Sequence, residues 1–181
     1  MESGRRVRIV PKRGRLEQKK RGLVAERTVQ KMLEELPMDH FIVMNDIRFK
    51  YGNIDHLVIR DDGALFMIET KACRGTVTFD GKQLLANGRP FTRNPISQIN
   101  RNIRWFRDWG LRMTGKSIWF TAILVFPGAN IQTTGRVKGI ECVGTCSELQ
   151  NSMVERRKRA YPGVRWRDVE NEFSNGCCGG C

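Results

Sequence analysis

Apolar side chains return at helical spacing over residues 16–36, where Ala25, Val29, Met32, Leu33 and Leu36 fall on one face. Pro37 ends this run because proline lacks the backbone N–H that a helix needs. Glu26 lies at the border of the stripe, one turn before Val29 and Gln30, where it can look inward at the edge of a site. The pattern then shifts to strands over residues 41–49, 54–59 and 64–71. Tyr51-Gly52-Asn53 and Asp61-Asp62-Gly63 supply the turns between them. A small hairpin is expected over 76–79 and 83–85, around Asp80-Gly81. Asn94 caps, and Pro95 opens, a second helix to about residue 111. Residues 119–126 read as a buried strand and 139–143 as a short one. Thr145-x-x-Glu148 is a capping box before a helix ending near residue 159, and 164–173 reads as a last short helix. This order predicts an α/β fold, a mixed central sheet flanked by helices.

Candidate chemistry sits on two adjacent strands. If Asp61-Asp62-Gly63 is a three-residue loop, Arg60 faces Ala64, Leu57 faces Met67 and Asp55 faces Glu69. Opposed residues on one face have Cβ atoms roughly 5 Å apart. Two carboxylates at that spacing repel unless a positive charge lies between them, and a divalent ion with oxygen ligands suits the place. A two-residue Asp62-Gly63 turn would instead put His56 opposite Glu69. Residues 65–68 are apolar on both faces, so Glu69 and Lys71 end a buried strand, and period two puts them on one face. Asp55 and Glu69, with the backbone carbonyl of Thr70, are expected to hold Mg2+ or Mn2+. Lys71 is expected to position a water and to stabilise charge building on a phosphoryl group. His40 and His56 are the two histidines, too few for histidine-based nuclease chemistry, and His56 reads as a supporting group.

Charge names the partner. Lys+Arg number 32 and Asp+Glu 19, a net of +13, so the chain gains free energy by displacing counterions from a polyanion. Nucleic acid is expected, with DNA favoured. A membrane is not: no apolar run approaches the roughly 18 residues of a spanning helix. The N-terminus lacks the apolar run of a secretory signal, so a soluble, cytoplasmic protein is expected. Residues 1–21 carry nine Arg or Lys against Glu2 and Glu17 and read as a flexible basic arm that grips phosphates or solubilises the chain. Ile96, Ile99, Ile103 and Phe106 form the core stripe of the second helix, and Gln98 begins a neighbouring stripe with Asn102, Trp105 and Trp109. Both tryptophans read as core. Arg101, Arg104, Arg107 and Arg112 make the exposed side basic and suit phosphate contacts, the first three above all, or are a solvated face. Arg156-Arg157-Lys158-Arg159 is a second basic patch. Cys142 and Cys146 could join Cys178 and Cys181 of the tail as four thiolates for Zn2+, though the spacing is not that of a standard zinc ribbon.

Five pieces together resemble the nuclease-related domain (NERD) family of the PD-(D/E)xK superfamily. They are Gly22-Leu23-Val24-Ala25-Glu26, residues 52–59 around Asp55, residues 64–71 ending in Glu69-Thr70-Lys71, Gly75-Thr76-Val77, and Asn94-Pro95-Ile96-Ser97-Gln98. They span about residues 20–125. The resemblance implies a restriction-endonuclease-like core and an active site of Glu26, Asp55, Glu69, Lys71 and Gln98. In it Glu26 is a further acidic group near the metal, and Gln98 orients a ligand or substrate. The domain is expected over 22–173, with a Cys/Gly-rich tail over 174–181 outside the family pattern. The activity implied is metal-dependent hydrolysis of nucleic acid, and dimers are common among such nucleases. A nucleic-acid-binding module with the fold but little turnover is the alternative, as is a zinc-binding adaptor.

Overall fold

The computed structural model describes residues 12–49, 52–133 and 135–155. Helix α1 (Lys12–Glu34) precedes three strands, β1 (Phe41–Phe49), β2 (Gly52–Arg60) and β3 (Leu65–Thr70). A small second unit follows, with β4 (Gly75–Phe79), β5 (Leu84–Ala86) and β6 (Arg89–Pro90). Helix α2 (Pro95–Thr114) leads to β7 (Thr121–Val125), β8 (Ala129–Gln132), β9 (Glu141–Val143) and helix α3 (Cys146–Val154). The main sheet has the order β1-β2-β3-β7-β9; β1 to β3 are antiparallel, and β7 and β9 join in parallel. The second sheet has the order β6-β5-β4-β8. The expected mixed sheet with flanking helices is therefore present.

Period-two alternation sorts the main sheet into two faces. Leu57, Ile59, Leu65, Met67 and Leu124 pack with Ile96, Ile99 and Phe106 of α2, and with Val77 and Leu84 of the second sheet. Val58, Phe66, Ile68, Ile123 and Val125 pack with Val29 and Leu33 of α1 and with Leu149 and Met153 of α3. Strands β2 and β3 are buried on both faces, as their unbroken apolar runs require. Trp105 stacks on Phe49 with ring centroids 4.4 Å apart, and with Trp109 it packs against the core on the α2 side.

Local signals set the helix ends. The Asn94 side chain accepts from Ser97 N, and the Thr145–Glu148 capping box closes on both sides. Four expectations need adjustment. Residues 12–21 of the expected flexible arm are the first turns of α1, continuous with the amphipathic stripe. The strand expected over 119–126 has its ladder at 121–125. Strands β6 and β8 are additions, short pieces that pair within the second sheet. α3 is described to Val154 with Glu155 as its cap. The rest of that helix to residue 159, the basic run 156–159, the 164–173 helix and the tail cysteines lie outside the described residues.

Gly144 joins the two units. Its carbonyl accepts from Gly128 N, and its N–H donates to Glu148 Oε2 at 2.7 Å. A Cβ here would stand 2.2 Å from the Ala129 carbonyl oxygen, a backbone atom that cannot swing aside. Gly144→Ala should cost about 3 kcal/mol through overpacking. The check is a lower urea midpoint at unchanged slope; an unchanged midpoint would mean that the two segments separate freely.

Candidate active site

The backbone ladder of β2 and β3 pairs Ile59 with Leu65, Leu57 with Met67 and His56 with Ile68. Arg60 N donates to Ala64 O, and Gly63 N to Arg60 O, so the turn is the three-residue loop. One further step in this register brings Asp55 level with Glu69, just past the last ladder pair. Alternation puts both on the α2 face, and turns His56 and Thr70 to the other.

Asp55 and Glu69 are buried, 8% and 2% exposed. Asp55 Oδ2 accepts from Thr70 N at 2.8 Å, so the end of β3 holds the carboxylate of β2 in place. Glu69 Oε1 accepts from Lys71 Nζ and from Gln98 Nε2, both at 2.5 Å. Lys71 Nζ also donates to Gln98 Oε1 at 2.9 Å. An ammonium only donates, which fixes the Gln98 amide with its oxygen toward Lys71. Gln98 reaches the site from the first turns of α2, which Asn94 caps. The buried Asn102, one turn on, donates to Asn53 O at 3.3 Å and ties the same helix to the start of β2.

Burial dominates the electrostatics. It drives the Glu69 carboxyl up to about 7, helped by Asp55 and opposed by Lys71. Asp55 is raised for the same first reason, against the Thr70 hydrogen bond and Lys71. Glu26 on α1 is raised by burial and then by Asp55 and Asp46, which places it within electrostatic reach of the pair. Four carboxyl groups, Glu26, Asp46, Asp55 and Glu69, thus share one region with the Lys71 ammonium. His56 is buried and pushed down to about 4 by burial alone; its Nδ1 meets Asn45 Oδ1 at 2.7 Å, and its Nε2 has no partner. The neutral imidazole is therefore a buttress between β1 and β2 rather than a base facing Glu69.

Asp46 was not singled out by sequence. It lies on β1 level with Asp55, between the Asn45–His56 and Ile47–Ile54 pairs, with a left-handed backbone at φ 48°. Arg48 and Asn53 bind its carboxylate. Gly52 and Asn53, expected in a turn, are the first residues of β2 and pair with Phe49 and Arg48; that register would have revealed Asp46.

Oxygen donors dominate the site, and the donor set suits a hard divalent cation. Among the described residues no three His, Cys, Asp or Glu side chains form a ready metal cluster.

The other candidates disperse. Arg101 and Arg104 are exposed on α2, and Arg107 is half-buried with its guanidinium 3.9 Å from the centre of the Trp119 ring. Cys142 packs among apolar side chains on the α2 side of the sheet, and burial with Glu141 pushes its thiol up to about 12. Cys146 starts α3 on the other side, where its thiol donates to Glu35 at 3.3 Å. The two thiols do not share a site, and Cys178 and Cys181 lie outside the described residues. No described helix is long and apolar enough to cross a membrane.

No curated protein matches the chain in sequence. Among solved structures, a crystal structure of a repair endonuclease from Pyrococcus abyssi aligns with a TM-score of 0.36 and 16% identity. The alignment covers 68% of this chain and 46% of that one, so the chain spans less than half of that protein, and at this score the likeness says nothing of the site. The family described as "Nuclease-related domain" matches residues 21–127, a stretch that holds Glu26, Asp55, Glu69, Lys71 and Gln98. That stretch is more than half of the 181 residues, and the chain belongs to the nuclease-related domain family.

Proposed function

We propose that this chain hydrolyses phosphodiester bonds of nucleic acid, with DNA favoured, in a reaction that needs Mg2+ or Mn2+. The observation that carries this reading is Glu69, a buried carboxylate bonded by Lys71 and Gln98 with Asp55 in the next strand position. Such a group is costly to bury and has no packing role that a leucine would not fill better. Asp55 and Glu69 would hold the ion, with the Thr70 carbonyl and Glu26 completing its surroundings. When bound, it supplies Lewis-acid polarisation and a water of lowered pKa. Lys71 meets the negative charge that grows on the phosphoryl oxygens. Gln98 keeps Lys71 and Glu69 in mutual register. The net charge of +13 draws the polyanion in.

The test incubates plasmid and single-stranded DNA with the protein in Mg2+, Mn2+ or chelator, beside Glu69→Ala. Metal-dependent cleavage is expected, down by a factor of about 100 or more in the variant. Equal cleavage by both proteins would place the reaction elsewhere. Binding without cleavage in any metal would leave a nucleic-acid-binding module.

A further inference from the structure

A second basic site lies at the other end of the sheet. Glu69 and Thr70 are level with Leu124 and Val125 at the end of β7, whereas Trp119, Phe120 and Thr121 stand at its beginning. Here a pocket of about 220 Å³ opens between α2, the start of β7 and the segment before β9. Arg107, Trp119, Arg136 and Lys138 line it, and no Asp or Glu does. Trp119 is 47% exposed, a large aromatic surface that the core does not use. Its ring carries the Arg107 guanidinium at 3.9 Å. Arg136 reaches Glu141 only at 3.6 Å, which leaves most of its five N–H donors uncommitted to that pair. Lys138 lines the pocket too; its Nζ donates to Lys82 O and lies 6.0 Å from the centre of the Phe79 ring, and neither contact neutralises its charge.

A structural role for the Arg107–Trp119 stack explains that contact alone. It does not explain two further cations lining the same pocket. The volume is below the roughly 300 Å³ at which small-molecule sites begin, and it is too small for a base pair. It is suited to one base, with the attached phosphate at its rim. From Gln98 to Arg107 is nine residues of helix, about 13 Å, so a strand lying along α2 would span both sites.

We propose that this pocket binds one unpaired nucleotide of a single-stranded segment, its base against Trp119 and its phosphate on Arg136 and Lys138. The choice of ligand rests on the nucleic-acid reading above. The pocket itself stands apart from the carboxylates. It would make the chain prefer substrates with a single-stranded stretch a few nucleotides from the bond at Glu69. Stacking of this kind tolerates any base, so sequence preference is not implied.

The experiment measures binding of a labelled single-stranded DNA of about twelve nucleotides, and of its duplex, in chelator. Trp119→Ala should weaken single-strand binding by about tenfold and Trp119→Phe by much less, with duplex binding changed less than about twofold. Arg136→Gln with Lys138→Gln should flatten the dependence of log K on log salt by about 1.4. Circular dichroism checks that each variant folds; if Trp119→Ala does not, Trp119→Phe and the double Gln variant decide. Unchanged binding and salt slope in folded variants would overturn the proposal. Binding through Trp119 by a chain that never cuts would sink the hydrolase reading and leave this one standing. Glu69-dependent cleavage with normal binding by Trp119→Ala would do the reverse.

Discussion

Lys71→Met should cut Mg2+-supported cleavage by about 10²–10³-fold while leaving DNA affinity in chelator within about twofold. The fall is the usual effect of removing one preorganised charge from a developing oxyanion. Affinity is spared because Lys71 is one of 32 basic residues, and its ammonium is turned onto Glu69 and Gln98. The same substitution should tighten Mg2+ binding, by about tenfold. Lys71 now supplies the positive charge against Glu69 and Asp55, and it lies where it would repel an arriving dication. Two charges some 4 Å apart interact by about 4 kcal/mol even at an effective dielectric of 20, so part of that is enough. Stability should fall little: Glu69, already raised to about 7 with Lys71 present, can take a proton once its partner is gone. The measurements are single-turnover cleavage and Mg2+ titration by calorimetry. Normal cleavage would remove Lys71 from the chemistry. Weaker Mg2+ binding would show that the ammonium helps to build the site rather than compete for it.

The part of the site that was legible in sequence is the part set by local rules. Asp61-Asp62-Gly63 fixes the β2–β3 register, and a fixed register with period two decides which face Asp55 and Glu69 share. Asn94-Pro95 fixes the start of α2, and that start places Gln98 over the strand ends. The restriction-endonuclease-like character implied by the five motif pieces agrees with the family match and with a mixed sheet in which α2 joins two strands that end up parallel. What escaped notice depends on contacts distant in sequence. β8 pairs with β4 across more than fifty residues, and its Ala-Asn-Ile-Gln, though it alternates, is only four residues long, too short a run to announce a strand by itself. Trp119 read as the first residue of an apolar strand. It lies two residues before the ladder begins, with Arg107 of α2 over its ring. Asp46 needed the pairing of β1 with β2, which sets it level with Asp55. The zinc reading rested on spacing alone, and spacing cannot tell that the chain turns from one face of the sheet to the other between Cys142 and Cys146.

The fold also explains why this site is built from groups that oppose stability. β2 and β3 are covered on both faces, so a polar side chain at their ends meets protein rather than water. Asp55 and Glu69 are therefore raised by burial first; Asp55 then raises Glu69 further, and Asp46 adds to the rise of Asp55. Lys71 returns part of that cost. Under the proposed function, the remainder would be returned by a dication bound between them.

That arrangement predicts how acidity and metal compete. Glu69 is raised from 4.5 to about 7, so the folded chain holds a proton there that the unfolded chain has lost. Its contribution to stability is present below about 4.5 and disappears as pH rises through 7. His56 is lowered from 6.5 to about 4, and its contribution runs the other way: present above 6.5, lost as pH falls to 4. In between, folding amounts to moving one proton from the histidine to the glutamate, and the two slopes cancel. Metal-free stability should be nearly flat from pH 5 to 6 as far as this pair decides it. Magnesium breaks the balance, because it binds the ionised carboxylate. At pH 6, one unit below its titration point, about a tenth of Glu69 is ionised, so apparent Mg2+ affinity should be about tenfold weaker than at pH 8. Asp55 and Glu26 are raised as well and can only steepen this dependence. Calorimetry at pH 6 in two buffers of different ionisation enthalpy should show about one proton released per ion bound, and Glu69→Gln should abolish most of that release. Magnesium affinity that is the same at pH 6 and pH 8, with no proton released, would mean that Glu69 is not a ligand.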